Sequence, residues 1–220
     1  MSNENEKTGI DIEEAYGRME LFFEEYKNNI LLIAGAIVIV VGGFLAWKYY
    51  YIPGQEAKAQ KDMFVAESYF DKDSTKQAIE LFGAVVDQYS STPSGNLSEY
   101  YLGLSYYKQG DYENAIKHLK NFSSNDEMLA PISVGVIGDA EMQLGKTDEA
   151  IPYYLKAAEK NKNDFSSPIY LQKAAMAYES QGKYEDALKL YQQIKSDYGK
   201  TSQGRDADKY IARVQTLLNK

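Results

Sequence analysis

The 220-residue chain contains no cysteine and a single histidine. Without cysteine there is no disulfide framework, thiolate nucleophile, iron–sulfur cluster or Cys-ligated zinc. A lone histidine excludes every site that needs two, including the zinc-binding HExxH helix. Bases are the minority charge: 24 Lys+Arg against 32 Asp+Glu leave a formal net charge of −8. That balance argues against a nucleic-acid partner, whose phosphates require basic surface. Cofactor motifs are also missing. Gly135-Val-Ile-Gly138 is too short for a phosphate-binding fingerprint. Asp71-Lys-Asp73-Ser-Thr75 begins like a calcium loop, but Lys76 stands where glycine is needed and Phe82 where glutamate is needed. No metal, cofactor or catalytic group is expected. The length suits one domain, or one domain with an appendage.

The mean hydropathy of −0.49 conceals one uncharged segment, eighteen residues from Ile30 to Trp47. As a helix it would be roughly 27 Å long, close to the thickness of a bilayer hydrocarbon core. Trp47, Lys48, Tyr49, Tyr50 and Tyr51 follow, as expected at a membrane exit where rings and a snorkelling lysine sit among head groups. A cleaved signal peptide fits poorly. The 29 preceding residues hold eight acids and three bases, and no small-residue cleavage site follows. The segment is therefore expected to remain as an anchor over residues 30–51, behind an acidic tail over 1–29. Arg18 and Lys27 on one side against Lys48, Lys58 and Lys61 on the other leave its orientation open.

Within the span, Gly35 and Gly42 are seven apart, as are Ala36 and Gly43, and Gly42 precedes Ala46 by four. Such a stripe lets a second helix approach closely in lipid. Upstream, Asp11 and Glu14 have capping-box spacing, and Ile12, Tyr16, Met19, Phe23 and Tyr26 recur at helical intervals. This predicts an amphipathic helix in the tail.

Beyond an expected break at Pro53-Gly54, the chain repeats with a period near 36 residues. Its marks are Gly110-Asp-Tyr-Glu-Asn-Ala115, Gly145-Lys-Thr-Asp-Glu-Ala150 and Gly182-Lys-Tyr-Glu-Asp-Ala187, after a degenerate copy, Asp73-Ser-Thr-Lys-Gln-Ala78. Twelve residues before each alanine stands a small residue: Ala66, Gly103, Gly138 and Ala175. An aromatic follows at Tyr69, Tyr106 and Tyr178, with Glu141 the exception. Large residues follow each alanine at Phe82, Leu119, Tyr154 and Tyr191. Pro93, Pro131 and Pro168 mark helix starts, where a missing N–H costs little. From Ala207 to Leu218 an apolar stripe (Tyr210, Ile211, Val214) opposes a charged face, as a terminal cap requires.

These residues resemble the tetratricopeptide repeat (TPR) family, a helix–turn–helix unit of about 34 residues. The resemblance implies an all-α fold: one transmembrane helix, then a TPR solenoid over 56–220 of about four helix pairs plus a C-terminal capping helix. It also implies a groove lined by the first helix of each pair. Here that helix would offer Tyr100, Leu104 and Tyr107, then Gly135, Asp139 and Met142, then Gln172, Met176 and Glu179. Such a surface, aromatic and Met-bearing at one end and acidic further on, would suit a hydrophobic or extended peptide.

His118 falls in a second helix with no positioned nucleophile in sequence and reads as structural. Asn96-Leu-Ser98 and Asn121-Phe-Ser123 are formal glycosylation sequons. Asp73-Ser74-Thr75 resembles the short acidic-hydroxyl motif of periplasmic O-glycosylation in the Bacteroidota.

The whole arrangement is similar to the YfgM-like family, ancillary subunits of the SecYEG translocon. The matching residues are Leu21-Phe22-Phe23-Glu24-Glu25 before the span and Gly43-Phe-Leu-Ala-Trp47-Lys48-Tyr49-Tyr50 at its end. That resemblance implies a single-pass inner-membrane protein, N-terminus cytoplasmic and repeats periplasmic. It further implies a non-enzymatic scaffold whose partners are SecYEG and a periplasmic chaperone or peptidyl-prolyl isomerase. An anchored TPR scaffold for cell-envelope assembly, unrelated to secretion, is the alternative.

Overall fold

The computed structural model describes residues 12–219, with side chains from Tyr16 onward. The described residues are helical with connecting turns and contain no strand. The chain divides into two compact units at Pro53–Gly54. The side chains of the expected Asp11/Glu14 capping box lie outside the described residues.

In the first unit, helix α1 (Ile12–Ala46) runs into a π-helical turn, Trp47–Tyr51. The amphipathic stretch and the apolar run therefore share one helix. From Tyr16 to Tyr51 no residue is buried, and Leu32, Ile39 and Val40 are at least 70% exposed. The helix satisfies its own backbone groups, as a membrane interior demands. It is long and apolar enough to cross a membrane.

The π-helical turn has a local cause. Ile52 donates its N–H to Trp47 O, five residues back. The next residue, Pro53, has no N–H for the carbonyl four residues back, and its ring needs room there. Helix α2 (Ile52–Asp71) starts with these residues, so Pro53-Gly54 lies in a first turn rather than in the expected break.

The second unit holds the rest of α2 and helices α3 (Thr75–Tyr89), α4 (Pro93–Gln109), α5 (Tyr112–Asn121), α6 (Leu129–Gln143), α7 (Thr147–Glu159), α8 (Ser167–Ser180), α9 (Tyr184–Asp197) and α10 (Ser202–Leu218). They form four pairs, α2/α3 to α8/α9, closed by α10. Every pair turns in the same way. Gly110, Gly145 and Gly182 have φ of 87°, 74° and 72°. Asp73 occupies the equivalent position with φ of 53°, a region aspartate tolerates better than most residues. In each turn the residue after this position donates to the carbonyl five residues back: Ser74 to Tyr69, Asp111 to Tyr106, Lys146 to Glu141, Lys183 to Tyr178. The last carbonyls of each first helix are thereby satisfied.

The pairs close on small-against-large contacts. A Cβ on Gly103 would lie 2.6 Å from Leu119 Cγ, and one on Gly138 would lie 2.8 Å from Tyr154 Cδ1. Ala66 shares a buried cluster with Phe82, and Ala175 with Tyr191. Successive pairs are joined by rings: Phe82 stacks on Tyr101 at 5.3 Å and Tyr191 on Tyr210 at 5.1 Å, both nineteen residues on. Helix α10 buries Ala207 and Val214 and exposes Arg205, Asp206, Asp208, Lys209 and Arg213, which makes it the solvated cap.

Two glycine substitutions test this packing in opposite directions. Gly103→Ala should lower the stability of the repeat unit by about 1–3 kcal/mol, because the added methyl overpacks against Leu119. Gly83→Ala lies in α3 with nothing within 4 Å of the new Cβ. It should raise stability by about 0.5–1 kcal/mol through helix propensity. Urea titration of the Gly54–Lys220 unit followed by circular dichroism measures both; equal effects would contradict the crossing contact.

Candidate interaction groove

First helices α4, α6 and α8 are neighbours along the solenoid, and their small crossing residues fix which side chains face outward. Tyr107, Asp139, Met142 and Met176 come together around a shallow cavity of about 230 Å³. Gln143, Lys173, Ala177 and the Tyr154 ring complete it. Met176 is 46% exposed at its edge. The two thioethers and Tyr107 supply adaptable apolar surface.

The floor of the cavity is polar but internally paired. Asp139 accepts from the Tyr154 hydroxyl at 2.8 Å and from the Lys173 ammonium at 2.7 Å on both oxygens. Lys173 lies 5.8 Å and 5.7 Å from the ring centroids of Tyr154 and Tyr170. One repeat further, Glu179 accepts from the Tyr191 hydroxyl and from Arg213, each at 2.6 Å. The acidity expected of this surface is thus neutralised by a cation 34 residues later in each case. Asp73 with Lys108 and Asp148 with Lys183 repeat the arrangement at a spacing of 35. Hydrogen bonds from these lysines hold the Asp73 and Asp148 carboxyls below the usual carboxylate range.

The remaining groove positions sit elsewhere. Tyr100 is 6% exposed, packed against Tyr101 and Phe122. Leu104 packs half-buried against the α4–α6 cluster. Gly135 is covered by the Tyr170 ring, which a Cβ there would strike. Gln172 is half-buried outside the cavity lining, and Glu179 is held by Arg213. Lys173 was not among the sequence-derived positions. Its signal was there: an opposite charge one repeat after Asp139.

In the apolar run of α1, a Cβ on Gly35, Gly42 or Gly43 would meet nothing within 4 Å, and Ala36 and Ala46 are exposed. His118 Nδ1 lies 2.6 Å from Glu99 Oε2 while its ring stacks on Tyr106 at 5.4 Å. It ties α5 to α4. Asn96 exchanges two hydrogen bonds with the Ser123 backbone, and Ser98 is fully buried, so that sequon is engaged in packing. Asn121 donates to Glu99. Asp73 and Ser74 lie in the turn between α2 and α3, and Thr75 opens α3. No group of three or more His, Cys, Asp or Glu residues among those described could hold a metal ion.

Burial pushes the phenol pKa values of Tyr100, Tyr154, Tyr170 and Tyr191 up; neighbouring carboxylates reinforce this for the last three. An unfolded tyrosine ionises near pH 10. A folded value above that contributes stability that is complete below about pH 10 and disappears as pH rises through the folded value. The repeat unit should therefore unfold under alkaline conditions, with phenolate absorbance and loss of helical ellipticity rising together. Full phenolate absorbance from a still-helical protein would contradict this.

Comparison with known proteins agrees with this geometry. No curated protein matches the sequence. Among solved structures, the nearly identical TPR-like repeats of a Podosopora anserina protein described as a kinesin light chain superpose with a TM-score of 0.58. They share 19% identity over 74% of this chain and 88% of that one, and a single-substitution variant of those repeats gives the same values. MamA protein superposes with a TM-score of 0.53 at 17% identity, over 72% and 88% of the two chains. At these identities the likeness is one of fold. A family model described as "Tetratricopeptide repeat-like domain" matches residues 21–206. It begins nine residues before the apolar run, so the match includes that segment as well as the repeats. With four like-turned helix pairs and a family match over most of its length, the chain belongs to the tetratricopeptide repeat-like domain family.

Proposed function

We propose that this protein is an accessory subunit of the bacterial Sec translocon, anchored in the inner membrane by α1. Its repeats, on the periplasmic side, recruit a chaperone or peptidyl-prolyl isomerase to emerging chains. Fold and family support the general statement that it is a protein-interaction scaffold. The observation that carries the anchored reading is the apolar run of α1, unburied in the chain and contained in the same family match as the repeats. The resemblance around the span, Leu21 to Glu25 and Gly43 to Tyr50, supports the translocon in particular.

Each part has a stated role. Gly35, Ala36, Gly42, Gly43 and Ala46 let α1 approach a translocon helix closely. Tyr107, Met142 and Met176 accept an apolar side chain from an extended segment of the partner. Asp139, paired with the Tyr154 hydroxyl and Lys173, forms the floor beneath them. No step of bond chemistry is assigned.

Crosslinking in native membranes followed by affinity recovery tests the reading. It should recover SecY and a periplasmic chaperone. Met142→Glu combined with Met176→Glu should reduce chaperone recovery about tenfold, a loss of roughly 1.4 kcal/mol, with SecY recovery and helicity unchanged. Recovery of neither partner overturns the proposal; recovery of outer-membrane assembly factors in their place supports the envelope-assembly scaffold.

A further inference from the structure

A second cavity, of about 320 Å³, shares no lining residue with the groove. It lies among α5, α6, α7 and the connection from Phe122 to Met128. Three lysines line it: Lys120 at the end of α5, Lys156 in α7, and Lys160 at the C-cap of α7. Its lining includes no aspartate or glutamate. None of the three forms an ion pair among the described residues, although Lys108, Lys146, Lys162, Lys173, Lys183, Lys189 and Lys195 all do. In a chain of net charge −8, three lysines lining one cavity without a carboxylate make a local excess of positive charge.

The placement follows from the helix. Tyr153, Lys156 and Lys160 fall at i, i+3 and i+7 on one stripe, and the Lys160 N–H donates to Lys156 O. Lys120 approaches the same stripe, its ammonium 5.5 Å from the centroid of the Tyr153 ring. Like charges brought to one cavity repel, and a bound anion converts that repulsion into attraction. Hydroxyl donors are present as well. Ser124 Oγ accepts from the Asp126 N–H at 3.0 Å, which leaves its own hydrogen free to donate, and Ser123 stands beside it. Beneath this polar rim the wall is apolar, formed by Leu119, Ala130, Val134 and Ile137. The volume lies at the small end of ligand sites.

The geometry points to a binding site for a small organic anion, a carboxylate or phosphate monoester carried on an apolar body of a few carbons. The three lysines and the Ser123 and Ser124 hydroxyls hold the charged group, and the α6 wall covers the body. The site is independent of the groove and of the Sec reading.

Calorimetric titration of the full chain in non-ionic detergent tests it, with hexanoate, hexyl phosphate, 1-hexanol and inorganic phosphate as probes. One or both organic anions should bind saturably at one site, and which one binds identifies the head group. Binding should weaken with added salt. A Lys120→Gln/Lys156→Gln/Lys160→Gln variant should bind about tenfold or more weakly at unchanged helicity, each lost charge removing attraction. Single variants of Lys156 and Lys160 should show part of that loss, while Lys76→Gln, an exposed lysine of α3 outside the cavity lining, should bind the anion normally. Four results would each overturn the proposal: no saturable binding, undiminished binding by the triple variant, hexanol binding as tightly as the anions, or inorganic phosphate doing so.

Discussion

How closely two antiparallel helices approach is set by the side chains at their crossing. In each repeat of this protein one member of that contact has almost no side chain and the other fills the space it leaves. Leu119 lies where a methyl on Gly103 would be, and Tyr154 lies where one on Gly138 would be. The other features of the solenoid depend on this fit. With the pairs closed, Phe82 and Tyr191 reach the next repeat and stack on Tyr101 and Tyr210. With the repeats in register, carboxylates meet cations one repeat later, as Asp139 meets Lys173 and Glu179 meets Arg213. Long polar side chains follow packing that short apolar ones set.

The same logic accounts for the groove's character. Tyr154 and Tyr191 are large crossing residues whose hydroxyls emerge on the first-helix side, where each needs an acceptor. Asp139 and Glu179 provide those acceptors, and their charges are in turn balanced by Lys173 and Arg213. What remains at the surface is the apolar part of Tyr107, Met142 and Met176 above a neutralised floor. A surface of that kind discriminates by shape and apolar content more than by net charge.

Much of this was legible in the amino-acid order, because the crossing and the turns impose residue types at fixed intervals. The four alanines, the small residues twelve before them and three turn glycines mark the four pairs correctly. Residues whose constraint is conformational rather than chemical were harder to read. Asp73 takes the left-handed turn without being glycine, and Pro53-Gly54 fits a first helical turn after a π-helical one. Periodic position also gives direction without reach. It assigns Tyr100 and Met176 to one surface, although Tyr100 packs inward and Met176 remains exposed. The lysine-lined cavity was invisible for a related reason. One wall is the connection from Phe122 to Met128, a non-helical stretch in which helical periodicity assigns no direction to a side chain.

Helix α1 obeys a different constraint. Its apolar side chains are exposed along a helix long and apolar enough to cross a membrane. The chain's −8 resolves into −5 in the 29 residues before the apolar run and −3 in the 173 residues after it. The two sides differ in density of charge more than in sign. The claim that places the repeats on the far side of the inner membrane from the acidic tail is tested most directly by a reporter fused after Lys220. A phosphatase that folds only outside the cytoplasm should be active there. Activity confined to a cytoplasmic reporter at that position would contradict the account.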